Sequence, residues 1–248
     1  MTESGTVTVY FGGQAHEAWT GDGLVVTYEG RLPVLAAVEG GRVRALPPTP
    51  GRAGDVKADY NASARSAELA ARLNSGAVPE LTASYFSAAA KVAWALGGLG
   101  DASELPSVLK CELSGSLDAV ILPELLRALL DERRLGWDEA MGITAACFNL
   151  RMQGTAIPGA VPLGAVAALQ PRTASLINAV NEKLCSRLWD AWPGDWRRIG
   201  ESAVLRDGEV CTEALCAAMC ERIFCTKERR AGSLRSMYIL MPAKFTDI

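Results

Sequence analysis

The spacing of apolar residues changes once along the 248-residue chain, and this change limits the folds it can adopt. Between Thr6 and Pro50, apolar and polar residues alternate in short bursts that glycine and proline interrupt. A period of two is typical of strands, so this part predicts a β-meander of three or four antiparallel strands with tight turns. From Lys57 onward the spacing is helical, and SVLKCEL and EVCTEALCA are candidate strands among the helices. The sequence therefore predicts an α/β or α+β fold with helices around a core sheet.

Two apolar stripes identify the helices that should carry the core. The first stripe comprises Leu122, Leu125, Leu126, Leu129 and Leu130, and the second comprises Leu176, Ile177, Val180 and Leu184. Pro123 suits the first turn of a helix, where its missing N–H is not needed. Asp138 and Glu139 suit another first turn, because the amide end of a helix carries partial positive charge.

Proline and glycine mark two breaks in the chain. The segment Pro47–Asp55, PPTPGRAGD, is typical of a linker. The chain is accordingly divided into residues 1–54, a β-meander subdomain with its linker, and residues 55–248, a helical α/β portion. A second loop, Gln153–Gly164, is predicted to separate two helical halves.

The composition is that of an ordinary globular domain. With 49% hydrophobic residues, 21% charged residues and a formal charge of -3, the chain matches neither the disordered nor the nucleic-acid-binding class. The N-terminus lacks the basic start and apolar core of a secretory signal, and the uncharged stretch Thr155–Gln170 is too short to span a bilayer. Seven cysteines without regular pairing indicate reduced thiols. These features predict a cytoplasmic protein, with an organelle as the alternative.

A cluster of four cysteines raises the question of a metal site. Cys211, Cys216, Cys220 and Cys225 are separated by five, four and five positions. A zinc knuckle usually needs a Cys-x-x-Cys pair, which this spacing lacks, and small buried thiols are common in cores. We therefore predict core cysteines and no metal ligands.

Other chemically suggestive residues also have ordinary interpretations. His16 is the only histidine and lies between candidate strands, so a surface position is favoured over general acid–base catalysis. The basic run Lys227–Arg235 could attract phosphate, but in a chain of negative net charge it is more typical of a solvated face. Some of the six tryptophans could stack on sugar rings, yet burial is the expectation for all of them: Trp19, Trp94, Trp137, Trp189, Trp192 and Trp196.

The segment Pro123–Thr144, PELLRALLDERRLGWDEAMGIT, closely resembles a helix-turn-helix segment of the glycogen and starch phosphorylases. Further segments resemble the same family in the same order, so the resemblance covers nearly the whole chain. These segments are Asp55–Gly76, Glu80–Leu96, Pro171–Leu184, Trp192–Val210 and Met237–Phe245. The resemblance implies part of a GT-B-like N-terminal domain, and a family activity of glycosyl transfer by glucan phosphorolysis.

Three polar segments of the family's sugar site are replaced in this chain. Ser114–Asp118 stands where the family has Asn-Asp-Thr-His-Pro, and Arg151–Thr155 stands where it has Tyr-Thr-Asn-His-Thr, so that only the threonine is kept. Glu213–Leu215 and Met219–Cys225 replace Ala-His-Leu and Gly-Ser-His-x-Val-Asn-Gly. We therefore predict no catalytic, cofactor-binding or metal-binding residues.

The resemblance also bears on cofactor and partners. Phosphorylases hold pyridoxal phosphate on a lysine of a second domain, and the 248 residues end near the close of the family's first domain, so this chain alone is expected not to bind it. The favoured function is a catalytically inactive scaffold, regulatory or assembly subunit. The alternative is a fragment or split half of a functional glucan phosphorylase. A protein partner or a homodimer through Asp55–Gly76 is expected, while glucan binding is possible but has no support from the residues.

Overall fold

A computed structural model describes residues 5–21, 23–48, 60–152 and 159–248. Of the predicted breaks, most of the linker Pro47–Asp55 and residues 153–158 of the second loop lie outside these ranges. The proposed boundary between residues 54 and 55 also lies outside them, and the division into two parts stays a prediction. None of the helices within the described ranges has the length and apolar character needed to cross a bilayer.

Five antiparallel strands occupy the first described part of the chain. They are β1 (Gly5–Phe11), β2 (Gln14–Thr20), β3 (Gly23–Glu29), β4 (Leu32–Glu39) and β5 (Arg42–Leu46). The antiparallel pairing agrees with the sequence pattern, but there are five strands where three or four were predicted, and their order differs from a simple meander. Strand β1 pairs with β4, which pairs with β5, while β2 and β3 form a separate hairpin.

Glycines explain why the hairpin β2–β3 leaves the sheet. After β1 ends, Gly12 and Gly13 have φ angles of 62° and 83°, a left-handed conformation that glycine adopts without steric cost. The Gly12 amide donates to the carbonyl of Leu169 at 2.6 Å, which fixes the turn against a helix end. Gly30, with φ of 67°, returns the chain toward β4. The alternating pattern contains these glycines but does not show which strand follows which in the sheet.

Two helices cover one face of the β1–β4–β5 sheet. They are α1 (Tyr60–Ser75) and α2 (Glu80–Gly97). Phe11 packs its ring against that of Tyr85 with centroids 5.3 Å apart, and the Tyr85 hydroxyl donates to the Tyr10 carbonyl at 2.9 Å. Asn74 pairs its side-chain amide with both backbone groups of Ala45, at 3.1 and 2.8 Å. These contacts join the strands to the helical part.

A parallel sheet of four short strands forms the second layer. Its order is β12 (Phe245–Asp247), β11 (Arg222–Cys225), β7 (Phe148–Arg151) and β6 (Cys111–Leu113). Only the end of the predicted strand SVLKCEL is a strand, because a short helix, α3 (Leu105–Val108), occupies its start. Strands of three or four residues are too short to show a period of two.

The remaining elements surround this sheet. The helices are α4 (Ile121–Arg127), α5 (Trp137–Cys147), α6 (Leu163–Leu169), α7 (Pro171–Ala191), α8 (Trp196–Ser202), α9 (Thr212–Met219), α10 (Lys227–Ala231) and α11 (Arg235–Leu240). A small antiparallel sheet has the order β8 (Ala160–Pro162), β10 (Glu209–Cys211) and β9 (Leu205–Arg206). The predicted strand EVCTEALCA is therefore β10 followed by a helix, because the apolar residues after Cys211 face a core on all sides.

The two predicted stripes form the core, and the predicted α/β class is confirmed. Leu122, Leu125, Leu126 and Leu129 are each 0% exposed, whereas Leu130 at the end of the first stripe is only partly buried. The second stripe, on α7, is buried throughout. Asp138 and Glu139 lie in the first turn of α5, as their charge indicates. Helix α4 begins at Ile121, so Pro123 lies in its first turn.

A buried ionic network ties the hairpin to these helices. Glu124 and Arg127, one turn apart on α4, form a bidentate pair with a shortest N–O distance of 2.8 Å. Asp131 pairs with Arg172 of α7 at 3.1 Å. Tyr28 of β3 donates to Asp131, and burial raises the pKa of Tyr28. The hairpin thus packs on the helical core through paired charges.

Candidate functional site

The carboxyl edge of the parallel sheet brings the replaced polar segments together. Ser114–Asp118 follows β6, Met152 follows β7 and Thr226 follows β11. Because parallel strands end at the same edge, and ligands of α/β proteins bind outside that edge, these segments form the candidate site. Gln153, Gly154 and Thr155, which complete the second segment, lie outside the described residues.

The loop after β6 is closed by its own aspartate. The Asp118 carboxylate accepts hydrogen bonds from the amides of Ser114 and Ser116 at 2.9 and 3.2 Å, and from their hydroxyls at 3.2 and 3.4 Å. The two hydroxyls lie 3.0 Å apart. Gly115 between them has φ of 81°, a left-handed conformation that suits this tight loop. The polar groups of the loop therefore satisfy one another.

Thr212, at the start of α9, fills the space beside this loop. Its hydroxyl contacts the carbonyl oxygens of Gly115 and Gly159, the latter at 2.7 Å, and its amide donates to Gly159 at 3.1 Å. A hydroxyl has one proton, so Thr212 donates to one carbonyl at a time. A Cβ on Gly159 would lie 3.5 Å from that hydroxyl oxygen. Thr212 thus links the loop after β6 to the start of α9, and a Cβ on Gly115 would lie 3.8 Å from the Cα of Glu213 in the third replaced segment.

Glu213 is the buried acid of the site. It follows Thr212 on α9, and only 2% of its surface is exposed. Its carboxylate accepts a hydrogen bond from the Ser233 hydroxyl at 2.9 Å and lies 3.6 Å from the Arg229 guanidinium. Burial raises the pKa of Glu213, while Ser233, Arg229 and Arg206 oppose that rise. Glu213 is thus a carboxyl group within the replaced segments that is shielded from solvent and can accept a proton.

Sequence reasoning did not select Glu213 as a candidate. The signal available was a single carboxylate within the apolar run CTEALCAAMC. A charged residue in such a run is costly to bury unless it is paired, which is a reason to look for a partner. That partner, Arg229, belongs to the basic run Lys227–Arg235, which we expected to be a solvated face. This expectation is wrong for Arg229, whose side chain is 15% exposed.

The two described residues of the second replaced segment, Arg151 and Met152, also make internal contacts. Arg151 pairs with Glu112 of the neighbouring strand at 2.7 Å and lies over the Phe224 ring, 4.6 Å from its centroid. Met152 is buried, and its amide donates to the Phe224 carbonyl at 2.9 Å. Both residues therefore extend the sheet.

The run Met219–Cys225 forms the end of α9 and strand β11. The Lys244 ammonium donates to the carbonyls of Cys220, Ala218 and Ala217 at 2.8, 3.1 and 3.4 Å. Lys244 belongs to the segment Met237–Phe245, and burial lowers its pKa. The positive charge lies at the carbonyl end of α9, where the helix dipole is negative.

The cysteine cluster packs as core side chains. Cys216, Cys220 and Cys225 are buried, and Cys211 is partly exposed. Within the described ranges, no group of three or more histidine, cysteine or acidic residues is placed to hold a metal ion. A hydrogen bond with the neighbouring Cys220, together with burial, raises the pKa of Cys216, which keeps its thiol protonated.

His16 and several tryptophans lie away from the carboxyl edge. His16 is on β2, 3.6 Å from Glu29 of β3. The expectation that all six tryptophans are buried is wrong for Trp19, Trp189 and Trp196, which are 82%, 39% and 71% exposed. The other three pack against the core but are only partly buried: Trp94, Trp137 and Trp192. Trp189 and Trp196 instead contact each other, with ring centroids 4.7 Å apart. Helical spacing could not place these three, because they lie on the hairpin and at helix ends.

Comparison with known proteins identifies the family of this chain. A model of the carbohydrate phosphorylases matches residues 74–247. Glycogen phosphorylase of Bacillus subtilis (strain 168) is 32% identical over 110 residues, which are 44% of this chain and 14% of that protein. The muscle forms of glycogen phosphorylase from Ovis aries and Oryctolagus cuniculus are 28% and 29% identical over 108 residues, 42% of this chain and 13% of each relative. The aligned part is thus a small share of these relatives, but the family model covers well over half of the chain, which therefore belongs to the carbohydrate phosphorylase family.

Proposed function

We propose that this chain is a glucan phosphorylase-like protein that does not itself catalyse phosphorolysis and acts as a scaffold or regulatory subunit. The observation that carries the proposal is the closed carboxyl edge. Asp118 is bound by its own loop, Thr212 joins Gly115 to Gly159, and Glu213 is bound by Ser233. Groups that satisfy one another are not free to bind a sugar.

The energy of these contacts supports an edge that stays closed. A hydrogen bond contributes about 1 kcal/mol net, and a buried group left without its partner costs about 1–3 kcal/mol. A sugar entering between Gly115 and Thr212 would have to separate the Thr212 hydroxyl from two carbonyls. It would meet no histidine there among the described residues, since His16 lies on the hairpin. Acid–base chemistry of the kind that histidine supplies near neutral pH therefore lacks its usual group.

The cofactor of the family does not fit the buried lysine of this chain. A Schiff base needs an amine that can leave its other contacts, whereas the Lys244 ammonium donates to three carbonyls at the end of α9. We infer that this chain alone does not hold pyridoxal phosphate. We further infer that it corresponds to part of a GT-B-like N-terminal domain and that it is cytoplasmic.

A second candidate function is a fragment or split half of a working glucan phosphorylase. The observation that favours it is the extent of the match. The family model covers residues 74–247, far more than the helix pair Pro123–Thr144. In that case a second chain would supply the cofactor, and the closed edge would have to open on association.

Phosphorolysis of maltoheptaose with added phosphate and pyridoxal phosphate separates the two functions. The chain is assayed alone, and then mixed with the separately produced cofactor-bearing domain of the Bacillus subtilis relative. If the chain is a scaffold, no glucose 1-phosphate forms with the chain alone or with the mixture. Calorimetric titration reports whether the chain binds maltoheptaose. Product formed by the chain alone would refute the proposal, and product formed only in the mixture would establish the split half.

A protein partner is part of the proposal. The candidate dimer segment Asp55–Gly76 contains α1, one face of which packs on β4 and β5. A homodimer through the other face predicts twice the chain mass in solution at micromolar concentration. If light scattering gives the mass of one chain, the homodimer is excluded and the partner must be a different protein.

A further inference from the structure

A cavity of about 530 Å³ lies between α8, β9 and the corner that joins α10 to α11. Its charged lining consists of Arg197, Arg198, Arg206 and Arg235 against one carboxylate, Glu201. This leaves a formal excess of three positive charges in a chain whose net charge is -3. The positive charge is therefore a local feature of this cavity and does not reflect the average composition.

Two of the arginines have acidic partners at the surface. Arg197 lies 3.7 Å from Glu201, and both side chains are largely exposed. Arg198 lies 3.1 Å from Asp195 and also over the ring of Trp192, 4.8 Å from its centroid. Exposed pairs of this kind contribute about 0–1 kcal/mol, so both guanidinium groups can exchange these partners for a stronger anion.

The other two arginines form no ion pair within the part of the chain that the structure describes. The Nε of Arg206 donates to the carbonyl of Ala203 at 3.0 Å, and Arg206 lines the cavity. Arg235 is exposed at the start of α11. Buried Glu213 lies within electrostatic range of Arg206, and its carboxylate is already bound by Ser233 and Arg229.

The shape and chemistry of the lining select a phosphate group. A guanidinium presents parallel N–H donors that match two oxygens of a phosphate, and arginine remains charged at all physiological pH values. Ser236 adds a hydroxyl to the same wall. Cavities of about 300–1,000 Å³ suit small molecules, whereas nucleic acids and peptides use longer grooves.

We propose that this cavity binds a small phosphate monoester, with Arg206 and Arg235 as the principal phosphate ligands. The cavity adjoins the carboxyl edge through Ser233, which lines the cavity and donates to Glu213. Its proposed phosphate ligands, Arg206 and Arg235, are not among the groups that close the edge, so the proposal does not depend on whether the chain catalyses phosphorolysis. Inorganic phosphate shares the recognised group, so it is expected to bind more weakly than an ester whose organic part also occupies the cavity.

Calorimetric titration at constant ionic strength tests the proposal with three probes: glucose 6-phosphate, inorganic phosphate and glucose. The pocket variant Arg206→Gln/Arg235→Gln is compared with the control variant Arg42→Gln/Arg44→Gln on β5, which removes the same charge from exposed positions. We expect glucose 6-phosphate to bind the native chain and the control equally, and the pocket variant to bind at least about tenfold more weakly. Glucose is expected not to bind at this site.

A second variant keeps the proposal testable if the first variant does not fold. Ser236→Glu places a carboxylate in the same cavity without removing the Arg206 contact to Ala203, and it should also lower the affinity at least about tenfold. Equal affinity of all variants for glucose 6-phosphate would overturn the proposal, as would equal affinity of the native chain for glucose and its phosphate. A phosphoserine peptide is titrated as a fourth probe, and its binding without binding of glucose 6-phosphate would overturn the assignment to a small ester.

Discussion

Replacing Arg127 by methionine removes the guanidinium that neutralises buried Glu124. The two side chains are 8% and 3% exposed, and three N–O contacts of 2.8 to 3.1 Å join them. After the replacement, the hydrogen bond of 3.1 Å from Thr173 is the remaining one recorded for the Glu124 carboxylate among the described residues. Breaking a buried pair by removing one partner costs about 3–5 kcal/mol, because the other charge is left uncompensated in a medium of low polarity.

Urea denaturation followed by circular dichroism measures this loss. With a slope of about 3 kcal/mol per M, the transition midpoint of Arg127→Met should fall by more than about 1 M. Arg151→Met is the matched control, because it breaks the Glu112 pair at the surface and should cost about 0–1 kcal/mol.

The double variant Glu124→Leu/Arg127→Met separates the buried charge from simple loss of packing. It removes both charges and fills the space with apolar side chains, so it should regain most of the stability that the single variant loses. Thr173 can then turn its hydroxyl to a carbonyl of its own helix. A double variant no more stable than the single one, or a single variant that loses less than the surface control, would refute the reasoning.

Three further predictions concern the carboxyl edge and its supports. Lys244→Met leaves the last carbonyls of α9 without their donor and should cost about 1–3 kcal/mol of unfolding free energy. This loss is measured as a fall in Tm of roughly 2–4 °C per kcal/mol. As a control, Lys227→Met at an exposed position of α10 should change Tm little. Thr212→Val removes the hydroxyl between Gly115 and Gly159 and should cost about 1–2 kcal/mol in urea denaturation; an unchanged midpoint would mean that the edge is not held by this contact. Glu213 has a pKa raised by burial, so the folded state binds its proton more tightly than the unfolded state, and the stability that this gives is lost as pH rises from about 4.3 through the folded pKa. Glu213→Gln should therefore gain stability relative to the native chain as pH rises through that window, and a pH-independent difference would contradict it.

The long elements of the fold follow from the sequence. The first leucine stripe repeats at helical spacing, and four of its five members are fully buried as that spacing requires, while Leu130 at its end is partly buried. The acids Asp138 and Glu139 mark the start of α5 correctly, since the helix dipole acts within the first turn. Both signals are local, and local signals are the ones that a single sequence carries.

The features that the sequence did not predict depend on contacts between distant residues. Strand β1 pairs with β4 because a hairpin is inserted between Gly12 and Gly30. The alternation of apolar and polar residues would be the same in a simple meander, so it does not reveal the strand order. The exposure of Trp196 depends on where α8 lies, which its own spacing does not specify. The role of Glu213 required its partner Arg229, sixteen positions away, to be brought beside it by β11.

The residues that carry the family resemblance are those on which the core depends. Within Pro123–Thr144, the leucines fill the centre of the protein, Glu124 and Arg127 neutralise each other, and Asp131 anchors the hairpin through Tyr28. A change at any of these positions would lower the stability of the fold, whichever reaction the protein performs. The loop Ser114–Asp118 at the carboxyl edge is less constrained, because exposed loops tolerate replacement. A strong match in this helix pair therefore establishes ancestry and fold, and activity has to be judged from the edge, where the side chains bind one another.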